Sequence, residues 1–274
     1  MKYIIFDLDE TLGYFKQIYY LFTIIKKVDS SIQITQNMFN NILELFPEIL
    51  RPNILHVLLY LKNKKKELTT YIIIYTNNKN KEWTSFIINY ITAKISCPSF
   101  FDKTIGNPTQ ELCRTSKDKN LSDLFRCIDF TEGSRICYID NEYFKGMKSK
   151  YTTYLKLDNY VNDIPNDNLL QRFTESDIYN TSFPNISSSV FKKIYYHYLN
   201  SMYNHTLSAE SYEYETASTN ILLSYIKIFY LNSRPSRTNF DLCLYNSPSS
   251  SRTLKNRIYR VKRNGKTKKC KFLL

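Results

Sequence analysis

Three short apolar runs, each followed by polar residues, constrain the fold of this chain more than any other feature of its sequence. The runs are residues 3–6 before Asp7-Leu8-Asp9, residues 71–75 before Thr76-Asn77-Asn78, and residues 136–139 before Asp140-Asn141. Each run is rich in β-branched and aromatic side chains and is almost unbroken in its apolarity. Strands that are buried on both faces of a parallel sheet have this composition. The runs therefore predict central strands of a parallel β-sheet.

Helical patterns separate these runs, as the crossover connections between parallel strands require. Thr35 is in position to cap the first helix, and Pro52 fits the first turn of the second. The predicted helices cover about residues 35–45, 52–61, 81–95, 120–128 and 167–173, and a further strand covers residues 151–157. Strands that alternate with helices predict an α/β fold, here a three-layer α/β/α sandwich around a central parallel sheet.

The composition changes after about residue 175. Residues 176–189 are rich in Ser, Asn and Thr, which indicates a domain boundary. Two amphipathic segments follow at about 189–203 and 216–231, and residues 233–251 are again rich in Ser, Pro and Asn. We therefore predict three parts, which are an α/β domain at 1–175, a helical or partly disordered extension at 176–251 and a basic tail at 252–274.

The net charge of +13 is concentrated near the end of the chain. Residues 1–177 carry only +2, and ten cations with no acid among them lie between Arg252 and Lys271. This distribution excludes a protein that is basic throughout, such as a histone. The tail is interpreted either as a disordered solubilising end or as a nuclear-targeting or nonspecific nucleic-acid-binding segment. Its apolar residues predict one short amphipathic helix and are Leu254, Ile258, Tyr259 and Val261.

Membrane insertion and secretion are not expected. The longest apolar run, residues 17–25, is too short to cross a bilayer, which needs about 20 apolar residues. The first residues become acidic at Asp7, too early for a signal peptide. The six cysteines form no Cys-x-x-Cys pair, so we interpret them as reduced thiols of an intracellular protein in the cytoplasm or nucleus.

The polar residues after the three runs predict a functional site. Because ligands of open parallel sheets bind at the carboxyl ends of the strands, Asp7, Asp9, Thr76 and Asp140 should meet in one crevice. Asp7 and Asp9 should point the same way, because strand side chains alternate. Neighbouring carboxylates repel each other unless a cation or a shared proton intervenes. A site made of oxygen ligands suits Mg²⁺.

Several motifs resemble a known family. Residues 6–12, Phe-Asp-Leu-Asp-Glu-Thr-Leu, match the Asp-x-Asp-x-Thr signature of the haloacid-dehalogenase-like hydrolases and resemble the carboxy-terminal-domain phosphatases, or NLI-interacting-factor-like group. Residues 119–124, 139–141 and 164–170 are similar to further motifs of that group. The resemblance covers about residues 1–175. The overall composition is also similar to versions of this domain that large DNA viruses carry.

The resemblance implies a role for each matching residue. Asp7 is implied as the nucleophile that forms an aspartyl-phosphate, and Asp9 as the general acid and base. Thr76, with Asn77 beside it, and Lys119 are implied to bind the phosphoryl group. The implied Mg²⁺ ligands are Asp7, the backbone carbonyl of Asp9 and Asp140, with Asn141 beside them. Lys117 lies close enough in sequence to take the role of Lys119.

Two features bear on the substrate. Thr76 is followed by Asn-Asn, whereas the protein-phosphatase branch more often has Thr-Ala-Ser and the polynucleotide 3′-phosphatases favour Thr-Asn. Only about residues 96–114 are available for a lid between Asn78 and Lys119, and an open site favours a macromolecular substrate. We predict a Mg²⁺-dependent phosphatase for phosphoserine or phosphothreonine in protein. The alternatives are a nucleic-acid 3′-end phosphatase and a binding module that acts through its C-terminal region.

Overall fold

The computed structural model describes residues 1–67, 69–199 and 207–231, together with two strands at 259–263 and 266–270. A five-stranded parallel sheet forms its centre, with the strand order β3-β2-β1-β4-β5. The strands are β1 (Lys2–Phe6), β2 (Thr70–Tyr75), β3 (Lys103–Ile105), β4 (Arg135–Asp140) and β5 (Thr152–Lys156). Strand β1 pairs in parallel with both β2 and β4, so the three apolar runs lie side by side. The prediction of a parallel sheet built on these runs is confirmed.

Nine α-helices occur in the described part of the chain, and several begin at side-chain caps. They are α1 (Lys16–Val28), α2 (Gln36–Glu44), α3 (Ile54–Glu67), α4 (Lys81–Lys94), α5 (Leu121–Cys127), α6 (Asn166–Thr174), α7 (Asp177–Ser182), α8 (Ser188–Leu199) and α9 (Ala209–Leu231). Thr35, Asn80 and Asn120 each accept a hydrogen bond from a backbone N–H of the first turn of α2, α4 and α5. Helices α2 to α6 agree with the prediction, whereas α1 and β3 were not predicted.

The two faces of the sheet are covered unequally. Ile4, Phe6 and Ile72 point into a large apolar core that also contains buried residues of α1 to α4, α6, α8 and α9. Tyr3, Ile5 and the other alternate strand residues pack into a smaller core with α5 and the turn at Lys145–Met147. The predicted three-layer α/β architecture is therefore confirmed, and one of its helical layers is much thicker than the other.

The helices that follow residue 176 pack against this body. Helix α8 contacts α1, and α9 contacts α3. Their buried residues, such as Phe191 and Leu222, belong to the large core. The helical character predicted for this region is confirmed where the structure describes it, and the division of the chain into domains stays a prediction. The Ser-, Pro- and Asn-rich stretch at 233–251 lies outside the described residues.

The basic tail contains an antiparallel strand pair, β6 (Tyr259–Arg263) with β7 (Lys266–Cys270). The prediction of one short amphipathic helix is wrong for the described residues, because Tyr259 and Val261 lie in β6, whereas Leu254 and Ile258 lie outside the described residues. The spacing of Tyr259 and Val261 has the period of a strand.

Two cysteines differ from the expected reduced state. Cys113 and Cys127 form a disulfide with a Cα–Cα distance of 5.1 Å, whereas Cys97 and Cys137 are free thiols. The prediction of reduced thiols is wrong for the bonded pair, because packing of the loop against α5 brings two distant cysteines together. None of the helices in the described ranges combines the length and apolarity that a membrane span needs.

Candidate active site

The carboxyl ends of β1, β2 and β4 bring the predicted polar residues to one edge of the sheet. Asp7 follows β1, and its backbone N–H donates to the Ile139 carbonyl of β4 at 2.9 Å. Thr76 follows β2, and Asp140 is the last residue of β4. All three side chains are buried. The strand ends therefore bring these three side chains to the same edge of the sheet, whereas the side chain of Asp9, which was predicted to join them, takes part in a different contact.

Lys119 joins two of the carboxylates. Its Nζ lies 2.6 Å from Asp7 Oδ1 and 2.7 Å from Asp140 Oδ2, and the lysine is only 2% exposed. Burial alone would lower the pKa of Lys119, but the two carboxylates outweigh it and hold that pKa above its usual value. Lys117 is exposed to solvent. Lys119 is therefore the lysine that the fold inserts between the carboxylates.

Asp140 is held by further hydrogen bonds. The Tyr138 hydroxyl donates to the same carboxylate oxygen that Lys119 contacts, and the Glu142 N–H donates to the other oxygen at 2.8 Å. Burial, followed by the negative charge of Asp140, raises the pKa of Tyr138 well above its usual value, so this hydroxyl remains a donor. Asp140 is therefore fixed in place as the counterion of Lys119.

Oxygen atoms of Asp7, Asp9 and Asn141 lie close together in the site. One end of the Asn141 amide lies 3.2 Å from Asp7 Oδ2 and 3.3 Å from the Asp9 carbonyl oxygen. With the amide oxygen at that end, three oxygens face one another, and a cation between them would relieve their repulsion. With the amide turned over, its NH₂ group would donate to both acceptors. In the first orientation, the three oxygen atoms fit a hard cation such as Mg²⁺. In the second orientation, the amide NH₂ group satisfies the hydrogen-bonding needs of the two acceptors without a metal.

The fit of these residues to Mg²⁺ depends on main-chain and amide oxygens as much as on carboxylates. In the ranges that the structure describes, no three His, Cys, Asp or Glu side chains form a group that could hold a metal ion. The side chain of Asp9 points elsewhere and accepts a hydrogen bond from Asn78 Nδ2 at 3.0 Å. Burial raises the pKa of Asp9. Asp9 therefore contributes its carbonyl to the oxygen cluster and its carboxyl to the adjacent cleft.

Arg114 organises the segment that follows β2. Its guanidinium donates to the Thr76 carbonyl at 2.9 Å and to the Asn77 side-chain oxygen at 2.8 Å. The Thr76 hydroxyl accepts the Asn78 N–H at 3.1 Å. Arg114 therefore fixes the Thr76 backbone and the Asn77 side chain where β2 ends.

Several residues of the site were not assigned from the sequence. The Thr11 hydroxyl donates to Asn141 Oδ1 at 2.8 Å. Thr11 is the threonine of the Asp-x-Asp-x-Thr motif, so the motif could have identified it as a site residue. Tyr138 lies two residues before Asp140 and shares its side of β4, which strand alternation predicts. Arg114 and Asn78 have no comparable local signal, because their partners are set by the packing of separate loops.

A cleft of about 350 Å³ opens beside Asp9, between the start of α1 and the start of α4. It is lined by Asp9, Glu10, Tyr14, Phe15, Lys16, Tyr19, Asn78, Lys79, Asn80 and Trp83. A second cleft of about 320 Å³ shares three of these residues and extends to Lys26 and Lys27. Helix α1 therefore forms a wall of an open groove that leads away from the site.

Comparison with known proteins adds little to this geometry. No family model matches the chain, and no curated protein matches it. One solved structure, of a protein from Thermotoga maritima described as a beta-phosphoglucomutase, is similar at 14% sequence identity with a TM-score of 0.29. The match covers 68% of this chain and 100% of that chain. Similarity at this level supports no functional conclusion, so the fold assignment depends on the sheet topology itself.

Proposed function

We propose that this protein is a Mg²⁺-dependent phosphatase that uses Asp7 as its nucleophile. The observation that carries the proposal is the buried contact of Lys119 with both Asp7 and Asp140, next to a cleft that Asp9 lines. A buried lysine at this position offsets the negative charge that a phosphoryl group would bring to Asp7. The carboxyl of Asp9 lies on the cleft side, where a leaving group would be.

The proposed reaction has two displacement steps. In the first, a carboxylate oxygen of Asp7 bonds to phosphorus while the bond from phosphorus to the substrate alcohol breaks, and the Asp9 carboxyl gives its proton to that alcohol. In the second, the Asp9 carboxylate takes a proton from water as the water oxygen bonds to phosphorus. The bond from phosphorus to Asp7 then breaks and releases phosphate. Lys119 stabilises negative charge in both steps, and Thr76 and Asn77 are proposed to bind phosphoryl oxygens.

The oxygen cluster formed by Asp7, the Asp9 carbonyl and Asn141 is the proposed Mg²⁺ site. The family resemblance also implies Asp140 as a ligand, and this stays a prediction. In the structure both of its carboxylate oxygens accept hydrogen bonds, one from Lys119 and Tyr138 and the other from Glu142. A bound Mg²⁺ would supply positive charge to the phosphoryl oxygens. The protein's own part is to hold the donors in place, which the Thr11 hydroxyl does for Asn141.

The proposed substrate is phosphoserine or phosphothreonine in a protein. An open groove beside Asp9 supports a macromolecular leaving group, because the residues that line it come from the segments after β1 and β2 and from the first turns of α1 and α4. The groove combines aromatic residues with lysines. A phosphorylated peptide could extend along it from the reacting phosphate.

The second candidate is a phosphatase for 3′-phosphorylated nucleic-acid ends. The lysines of the groove and the exposed ring of Tyr19 favour it, since single-stranded nucleic acid is bound by cations and aromatic stacking. The cations between Arg252 and Lys271 would add nonspecific contact with phosphates.

A direct rate comparison tests the proposal. The full chain is assayed with Mg²⁺ on an aryl phosphate, a phosphoserine peptide and a 3′-phosphorylated oligonucleotide, with Asp7→Asn as the control. We expect turnover of the aryl phosphate and preference for the peptide, and preference for the oligonucleotide would favour the second candidate. Tight nucleic-acid binding without any turnover would contradict both and favour a binding module.

A further inference from the structure

Arg51 is a buried cation directly behind the catalytic loop, residues 9–13. Its guanidinium is almost fully enclosed and donates to the Thr11 carbonyl at 2.8 Å and to the Glu10 carbonyl at 2.7 Å. A further hydrogen bond reaches the Asp158 carbonyl at 2.6 Å. The same group forms an ion pair with Glu215 of α9. One side chain therefore connects the catalytic loop to a helix 164 residues further along the chain.

The catalytic loop needs such an anchor because its backbone is strained. Glu10 has a φ of 60°, in the left-handed region that residues other than glycine seldom adopt. The Glu10 carbonyl is held from two sides, by Arg51 and by the Tyr160 N–H at 2.9 Å. In this conformation the Asp9 carbonyl oxygen lies 3.3 Å from one end of the Asn141 amide. A change in this conformation would move one of the three oxygens of the proposed metal site.

Glu215 supplies the charge that allows Arg51 to be buried. Carbonyl oxygens can satisfy the N–H groups of a guanidinium, but its positive charge also needs a buried counterion. Glu215 is itself buried, and burial raises its pKa while the charge of Arg51 opposes that shift. The neighbouring Tyr214 hydroxyl donates to the carboxylate of Asp158. Tyr214 and Glu215, two successive residues of α9, thus contact Asp158 and Arg51, which are hydrogen bonded to each other.

Helix α9 also reaches the opposite end of the sheet. There Arg135 donates to the Phe229 carbonyl at 3.1 Å, and Lys2 donates to the Tyr230 carbonyl at 2.8 Å. The helix is therefore anchored at both ends, close to the amino ends of the strands and close to the catalytic loop. Residues at its two ends can be altered separately, so that effects on the loop are distinguished from effects on helix packing.

We propose that Arg51 is a positioning residue for the catalytic loop and that Glu215 holds it in place, which makes α9 a part of the catalytic unit. The consequence for turnover rests on the proposed phosphatase function, whereas the consequence for the order of the loop does not. The relevant loop amides are those of Glu10, which donates to Gly13, and Leu12, which donates to Leu8. Their exchange with solvent reports on the loop whether or not the protein turns over a substrate.

The test compares Glu215→Gln with Phe229→Ala in the full chain. Glutamine keeps the size of the side chain and removes its charge, while Phe229→Ala opens a cavity at the other end of the same helix. Hydrogen exchange is measured for peptides over residues 7–14, relative to peptides of β4, and kcat and KM are measured on an aryl phosphate with Mg²⁺. Arg51→Lys is a third variant, which keeps the charge but loses the fork of donors.

For Glu215→Gln and Arg51→Lys we expect exchange at residues 7–14 to rise by at least about tenfold relative to β4, with a similar loss in kcat and little change in KM. Phe229→Ala should lower the melting temperature without this local effect. Equal exchange changes in all three variants would overturn the proposal. So would an unchanged kcat in Glu215→Gln. If the wild type has no turnover, the proposed function fails, and the exchange data still decide whether Arg51 and Glu215 position the loop.

Discussion

Lys119 Nζ lies 2.6 Å from Asp7 Oδ1, within a buried site at the carboxyl end of the central strand. The same ammonium contacts Asp140 at 2.7 Å, so one positive charge serves two carboxylates. Such a site carries an excess of negative charge as long as no further cation is bound. This charge balance connects the proposed nucleophile, the proposed metal site and the stability of the fold.

Replacing Lys119 should affect both activity and stability. Lys119→Met leaves two buried carboxylates without their partner, and we expect a loss of about 3–5 kcal/mol in the free energy of unfolding. Turnover should fall by at least about a hundredfold, because the charge that stabilises the phosphoryl group is removed. Urea unfolding and aryl phosphate hydrolysis measure the two effects.

Lys117→Met is the matched control, because Lys117 is close in sequence but exposed. It should change the unfolding free energy by less than about 0.5 kcal/mol. A control variant that loses as much activity as Lys119→Met would transfer the role to Lys117.

The affinity for Mg²⁺ should increase with pH. Burial raises the pKa of the Asp7 carboxyl to about 7, with Lys119 opposing the shift, so the metal-free protein holds a proton there at lower pH. A carboxyl group must lose its proton to bind a metal. The apparent dissociation constant for Mg²⁺ should therefore increase about tenfold for each pH unit below pH 7 and be constant above it. Mg²⁺ titrations between pH 5.5 and 8.5, in the ~3-unit range around that pKa, measure this dependence. A flat profile would contradict competition between Mg²⁺ and a proton on Asp7 in this pH range.

Gly13 is required because the catalytic loop approaches the backbone of Ile49 closely at this position. A Cβ at this position would lie 2.6 Å from the Ile49 carbonyl oxygen. Gly13→Ala should therefore lower the unfolding free energy by about 1–3 kcal/mol and reduce turnover, because the loop between Asp9 and Gly13 must shift. Gly106→Ala is the control, since its nearest contact would be an ordinary 3.5 Å. Equal effects of the two substitutions would contradict this account.

The disulfide between Cys113 and Cys127 should stabilise the loop that carries Arg114. The cysteines are 14 residues apart in sequence, and closing a loop of about 15 residues is worth about 3 kcal/mol. A reductant should lower the unfolding free energy by about that amount. The double variant Cys113→Ser/Cys127→Ser should not respond to it. If the untreated native protein has both thiols free to react, the bond is absent in solution.

Much of the fold was predictable because its signals are local. The three central strands are apolar runs, and the caps Thr35 and Asn120 precede periodic helical patterns. Helix α1 was not predictable in the same way because residues 17–25 form a nearly continuous apolar run, in which the helical spacing of Ile18, Leu21 and Ile25 is obscured. Strand β3 has three residues, too few to form a pattern.

The missed parts of the candidate site depend on contacts between distant segments. The carboxyl ends of the strands predicted Asp7, Thr76 and Asp140, because sheet geometry brings them together. Nothing near Arg51 in the sequence indicates Glu215 as its partner, since the pairing depends on how α9 packs against α3. The spacing of Cys113 and Cys127 likewise gave no sign of a bond.

Detection of a phosphoryl group on Asp7 tests the central claim most directly. The full-length protein is mixed with an aryl phosphate and Mg²⁺, quenched in acid within one turnover and analysed by peptide mass spectrometry. The account predicts one phosphoryl group on the peptide that contains Asp7, and neither this adduct nor turnover in Asp7→Asn. Turnover by Asp7→Asn at the wild-type rate, or a phosphoryl group on another residue, would contradict it.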